Sequence, residues 1–133
     1  MNDIHYDPFY NSKVDKESFC WAENPIDEGG KENATQEAKF GRFGCDPNDL
    51  LISNILNKMT KDYEIDVLLI NGDLVGHEIA VKPSLKLSEK QIEEHYIILK
   101  DILTSVQNDF VNSYFKNTVI LPTIGNNDVK FHY

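Results

Sequence analysis

Three short clusters in this chain carry the residue types of a metal centre. Asp3-Ile4-His5 stands at the amino end, Gly72-Asp73 with His77 in the middle, and Gly125-Asn126-Asn127-Asp128 near the carboxyl end. Carboxylates, imidazoles and an amide oxygen form a donor set suited to divalent ions such as zinc, manganese or iron. In an extended segment, side chains two residues apart share a face, so Asp3 and His5 are expected to reach one ion together. Gly72 and Gly125 let the backbone turn sharply beneath such ions with no Cβ in the way. Asp7 and Asp128 lie beside the clusters, where carboxylates commonly orient metal ligands. Taken singly, an Asp-x-His or Gly-Asp pair is more often a solvated loop. The order of the three clusters, and their placement after predicted strands, favours the metal centre.

The elements that must position these residues follow from periodicity and punctuation. From Cys45, the stretch CDPNDLLISNILNKMTKDY places Asp46 as a helix N-cap, Pro47 at the first helical position and Asp49 in the first turn. Leu51, Ile52, Ile55, Leu56 and Met59 recur at three- and four-residue steps and form one apolar face. Val67 to Ile70 is a continuous apolar run, which predicts a strand buried on both faces, as in a parallel sheet. A second helix begins at Ser88 with Gln91 as its capping-box partner, and its stripe runs Ile92, Tyr96, Leu99, Leu103, Val106, Phe110. TVILPTI then reads as a second buried strand. Helix and strand alternate, which predicts an α/β layered domain whose strands deliver polar residues at their carboxyl ends, where open α/β sheets place their ligands.

Composition bounds the function. A chain of 133 residues fits one domain. With 13 Lys+Arg against 22 Asp+Glu, a net charge of −9, it has no basic patch of the kind that holds nucleic-acid phosphates. No apolar run approaches the roughly 20 residues that span a bilayer, and the amino end lacks the charged-then-apolar pattern of a secretory signal. MNDIHYDPFY starts so abruptly that a preceding segment is expected. Cys20 and Cys45 bracket a polar, aperiodic stretch; on counting alone, a disulfide in an oxidising compartment and two unrelated thiols are equally open. A bridge would contribute on the order of 3 kcal/mol.

DIHYDPFY, NGDLVGHE and PTIGNND together resemble the first three motifs of the calcineurin-like metallophosphoesterases, whose pattern runs Asp-x-His, Gly-Asp, Gly-Asn-His-Asp or Glu. DIHYDPFY, FGCDP and the Gly-Asp-x-x-x-His of Gly72 to His77 are most similar to the acid-sphingomyelinase-like branch, and GNND followed by His132 looks endopolyphosphatase-like. The resemblance implies hydrolysis of a phosphodiester or phosphoanhydride by a metal-activated hydroxide, on a substrate such as a phosphodiester lipid, polyphosphate or nucleotide. It implies two divalent metal ions, with zinc the expected species and manganese or iron as alternatives. Asp3 and His5 would bind the first, Asp73 would bridge, and Asn126 would bind the second; His77 would face the substrate phosphate. It also favours a Cys20–Cys45 disulfide clasping a loop over residues 11–45, and a secreted, vacuolar or lysosomal-like location.

Two departures qualify the resemblance. Asn127 replaces the family's histidine, and an amide cannot protonate a leaving alkoxide, which favours anhydride-like leaving groups unless His77 or His132 supplies the proton. The family's later histidine ligands have no counterpart, and His95 reads as a helix-surface or boundary residue. Residues 1–133 are therefore expected to be the amino-terminal half of one metallophosphoesterase domain, truncated at both ends, with half of its sheet and half of its site. The alternative is a non-catalytic module that acts by binding or by association with another chain. Trp21, Phe40 and Phe43 are expected to pack within the loop.

Overall fold

The computed structural model describes residues 1–21, 34–77, 79 and 87–129. It is a mixed α/β structure in the order α1 (Asp49–Asp62), β1 (Val67–Asn71), α2 (Glu89–Ser105) and β2 (Val119–Thr123). A π-helical stretch, Val106–Val111, prolongs α2, and a 3-10 turn, Asn126–Asp128, follows β2. The two strands are parallel and in register from Val67 opposite Val119 to Asn71 opposite Thr123. The amino-terminal segment runs along the other edge of β1. The Met1 amino group donates to the Leu69 carbonyl, Asn71 N–H to the Met1 carbonyl, and the N–H groups of His5 and Tyr6 to the carbonyls of Asp73 and Leu74. Three chain segments thus end side by side at the carboxyl edge of the sheet.

The helices form where their caps predict, with one shift. Ser88 and Gln91 make the reciprocal capping box of α2. At α1 the N-cap is Asn48, whose Oδ1 accepts from Leu51 N–H at 2.9 Å, and not Asp46. Pro47 accordingly lies in the loop and not at the first helical position, with its carbonyl accepting from Asp7 N–H. Asp46 is thereby freed for a different partner.

The core lies on one face of the sheet. Leu68 and Ile70 pack with Ile52 and Leu56 of α1 and with Leu99, Ile102, Val106 and Phe110 of the second helix. The π-helical widening brings the consecutive residues Phe110 and Val111 into the same core. The other sheet face is apolar and open: Val67, Leu69, Val119 and Leu121 are each more than half exposed. The two strands are therefore not buried on both sides, because both described long helices pack against the same face. β2 is an edge strand in the described structure, where Pro122 costs no ladder hydrogen bond on its free side. The helical stripes are narrower than their periodicity suggests, since Ile55 and Tyr96 face solvent. Tyr6 is buried edge-to-face against Phe110, with ring centroids 5.1 Å apart.

Cys20 and Cys45 form a disulfide with a Cα separation of 6.1 Å. Residues 22–33 of the clasped segment lie outside the described residues. Trp21 is buried beside the bridge, as expected, whereas Phe40 and Phe43 are exposed: Gly41 and Gly44, both with positive φ, turn that stretch of backbone so that it runs over the surface. No helix among the described residues is long and apolar enough to cross a membrane.

His95 is buried, not at the helix surface or boundary expected for it, because the apolar stripe of α2 is rotated to include it with Leu99 and Ile102. Burial pushes its pKa down, partly opposed by a hydrogen bond to the Ile79 backbone, and Nδ1 has no partner among the described residues. A histidine held neutral in the folded state contributes stability above its ordinary pKa of about 6.5, and that stability is lost as pH falls through the lowered folded value. His95→Leu should therefore flatten the acid limb of the stability curve. Urea unfolding of both proteins between pH 7.5 and 5 should show their stability difference moving in favour of the variant as pH falls; a constant difference would contradict it.

Candidate metal centre

The centre is assembled where the three chain segments end. Asp73 follows β1 after Gly72, and Gly125 follows β2 after Ile124. These two turns touch: a Cβ on Gly72 would overlap the Gly125 backbone, and a Cβ on Gly125 would overlap the Asp73 carboxylate and backbone nitrogen. Gly72 also has φ +69°, a conformation that glycine adopts without steric cost. Both glycines are needed for contact, and the contact sets Asp73 against the second loop.

Asp128 locks that arrangement. Its Oδ1 accepts from the N–H groups of Leu74 (2.7 Å) and Val75 (3.1 Å), and its Oδ2 accepts from Gly125 N–H (2.9 Å). One buried carboxylate therefore ties the loop after β2 to the loop after β1. Asn127 N–H donates to Asp73 Oδ1 at 3.0 Å, a second cross-link. The Asn127 side chain is buried with its amide group 3.2 Å from His5 Nδ1, and His5 Nε2 lies on the side of Asp3, 3.9 Å from its carboxylate. Asn126 begins the same turn, with its amide donating to Asn127 Oδ1.

Asp3, His5 and Asp73 each bring one donor atom to within 4.8 Å of the others. Two carboxylates and an imidazole at that spacing fit a divalent cation. All three residues have positive φ, 48°, 47° and 49°. The Asp3–His5 segment is thus not in the regular extended conformation expected of it. The backbone twists at both residues, held by the hydrogen bond from His5 N–H to the Asp73 carbonyl. Side chains rarely tolerate that conformation, and its concentration at one place is typical of sites where function dictates geometry.

A second group adjoins the first through His5. His5, Asp46 and His77 also bring donor atoms within 4.8 Å of one another, and the two imidazoles stack with centroids 4.2 Å apart at 13°. Asp46 Oδ1 lies 2.8 Å from His77 Nδ1, and Asp46 Oδ2 accepts the His77 N–H. Asp46 is the residue of this site that sequence reasoning missed. Its helix-cap signal, Asp-Pro before an apolar face, concealed it, and nothing local links position 46 to position 77. His132 lies outside the described residues.

Asp7 is set back from the cluster. Its carboxylate accepts from Trp21 Nε1 and from Phe9 N–H (2.8 Å). Burial pushes its pKa up to about 6, opposed by those two hydrogen bonds and reinforced by the nearby Asp46. A pocket of about 240 Å³ opens between Asp7, Trp21, Phe19, Cys45, Asp46 and His77.

No family model matches the chain. It is similar to a Dictyostelium discoideum protein named sphingomyelinase phosphodiesterase D, with 28% identity over 143 aligned residues. The alignment takes in 97% of this chain and 29% of the relative, so the chain spans less than a third of that protein's length.

Because the two turns touch backbone to backbone at Gly72 and Gly125, Gly125→Ala should force them apart. The overlap is expected to cost roughly 1–3 kcal/mol, the usual range for an overpacked position, and to break the Asn127 to Asp73 bond. Urea unfolding together with amide exchange at Asn127 would register both; unchanged stability with a protected Asn127 amide would contradict the contact.

Proposed function

We propose that the protein carrying this chain is a metal-dependent phosphoesterase of the calcineurin-like type, in the acid-sphingomyelinase-like or endopolyphosphatase-like branch, hydrolysing phosphodiester or phosphoanhydride bonds. Residues 1–133 supply the amino-terminal half of the domain and about half of a binuclear site. The observation that carries this reading is the convergence of Asp3, His5 and Asp73 at the carboxyl edge of the sheet, beside the turn that holds Asn126 and Asn127. The likeness to a protein named sphingomyelinase phosphodiesterase supports a phosphodiester substrate. The open apolar sheet face supports the half-domain reading, since a two-sided parallel sheet normally carries a layer on each face.

Asp3 and His5 would hold the first ion, Asp73 would be shared, and Asn126 would bind the second. When bound, a pair of divalent ions, zinc by preference and manganese or iron as alternatives, supplies the Lewis acidity that activates water and neutralises phosphoryl charge. Asn127 does not act on the leaving group here; it is buried against His5 and sets that ring. His77 is the exposed imidazole next to the cluster and faces the substrate phosphate. The disulfide suits an oxidising compartment, in keeping with a secreted, vacuolar or lysosomal-like location.

Asp73→Ala tests the assignment. In the protein carrying this chain it should reduce metal-dependent hydrolysis of bis-p-nitrophenyl phosphate by about 100-fold or more, comparable to losing a major electrostatic contributor. Turnover retained at the wild-type level would remove Asp73 from the centre. A wild-type protein that folds but neither binds divalent ions nor turns over substrate would support the binding-module alternative.

A further inference from the structure

We infer that Asp46 is a positioning residue that fixes the imidazole of His77 by a two-point hydrogen bond, so that Nε2 is the nitrogen presented to the substrate phosphate. The inference rests on the phosphoesterase reading for its chemistry and on geometry alone for the pairing. His77 is exposed, its side chain 57% accessible, and an exposed imidazole normally samples several rotamers and both neutral tautomers. Here one carboxylate takes both of its donors. Oδ2 accepts the backbone N–H and Oδ1 lies 2.8 Å from Nδ1, so backbone and ring are fixed together. With Nδ1–H committed to Asp46, Nε2 is the ring nitrogen left to face a ligand, as an acceptor in the neutral ring and as a donor to a phosphate oxygen when the ring carries a second proton.

Asp46 is itself held firmly. Its side chain is only 19% exposed, Cys45 before it is bridged to Cys20, and the Pro47 carbonyl after it accepts from Asp7 N–H. Gly76, next to His77, leaves room for the carboxylate, since a Cβ there would lie 3.0 Å from Asp46 Oδ2. On its far side the His77 ring stacks on His5, a residue of the metal cluster. The dyad is therefore wedged between the disulfide and the proposed ions. Both Asp46 oxygens already accept from His77, so the triad of His5, Asp46 and His77 serves as a hydrogen-bonded support rather than an open chelating set. In this arrangement the carboxylate selects the tautomer of a histidine that touches substrate, which raises catalytic efficiency without Asp46 touching the reacting atoms.

The test separates pairing from catalysis. Ring nitrogen and carbon NMR shifts of His77, in the wild type and in Asp46→Asn and Asp46→Ala with native near-UV circular dichroism, report the tautomer without any need for turnover. The Nδ1–H form should predominate in the wild type and give way in Asp46→Ala to the Nε2–H form preferred by free imidazole. Asp46→Asn should lower kcat on bis-p-nitrophenyl phosphate by about 10- to 100-fold with little change in KM, the usual scale for a lost orienting partner. In a His77→Ala background it should add nothing. An Nε2–H tautomer in the wild type, an Nδ1–H signal that survives Asp46→Ala, or an unchanged kcat in Asp46→Asn would overturn the inference. The predicted tautomer in a wild type without turnover would overturn the phosphoesterase reading and leave the orientation of His77 by Asp46 standing.

Discussion

Everything at the candidate centre depends on two backbone turns touching without side chains between them. Parallel strands in register bring the residues after β1 and β2 to the same edge, but ordinary side chains would hold those turns apart. Gly72 and Gly125 remove the obstruction, and Asp73 moves into hydrogen-bonding distance of Asn127 N–H. Asp128 then closes the gap by accepting from three N–H groups on both loops. A carboxylate with several backbone donors is satisfied without a counter-ion, so it can be buried beside other acids at modest cost. Asp128 thus holds the loops, while Asp3 and Asp73 stand with His5 in a group that could hold a cation.

The same constraint explains where backbone strain collects. Among the described residues, five that are not glycine have positive φ, and three of them are Asp3, His5 and Asp73. Each such residue costs of order 1–3 kcal/mol and persists only if its surroundings enforce it. Enforcement comes from the hydrogen bonds that lay the amino-terminal segment along β1 and from the core of Leu68, Ile70, Leu56 and Leu99 beneath it. The other two, Phe19 and Cys20, adjoin the disulfide. That bridge fixes the neighbour of Asp46, so the loop and the sheet edge supply the two sides of one cleft.

Much of this was legible in the sequence because the signals were local. Ser88 with Gln91 specified the start of α2, and Val67 to Ile70 and the TVILPTI run specified two strands whose ends carry the polar clusters. What was not legible depended on distant partners. Continuous apolar runs gave no sign that Leu69 and Leu121 would face outward, since periodicity reports side-chain type and not what covers it. His95 was misplaced by a rotation of one residue in a helical stripe. Asp46 looked like a helix cap, and only the return of the chain at Gly76 and His77 shows its partner, a pairing across 31 residues. The contact of Asn127 with His5, across 122 residues, likewise has no local signal.

The central claim is that Asp3, His5 and Asp73 form one face of a cation site. Crystals of the protein soaked in manganese or zinc and measured at the metal absorption edge would test it most directly. The account predicts an anomalous peak with all three donors at about 2.0–2.2 Å, the usual range for zinc with nitrogen and oxygen ligands. A peak bounded by His5, Asp46 and His77, or ions confined to surface carboxylates, would contradict it.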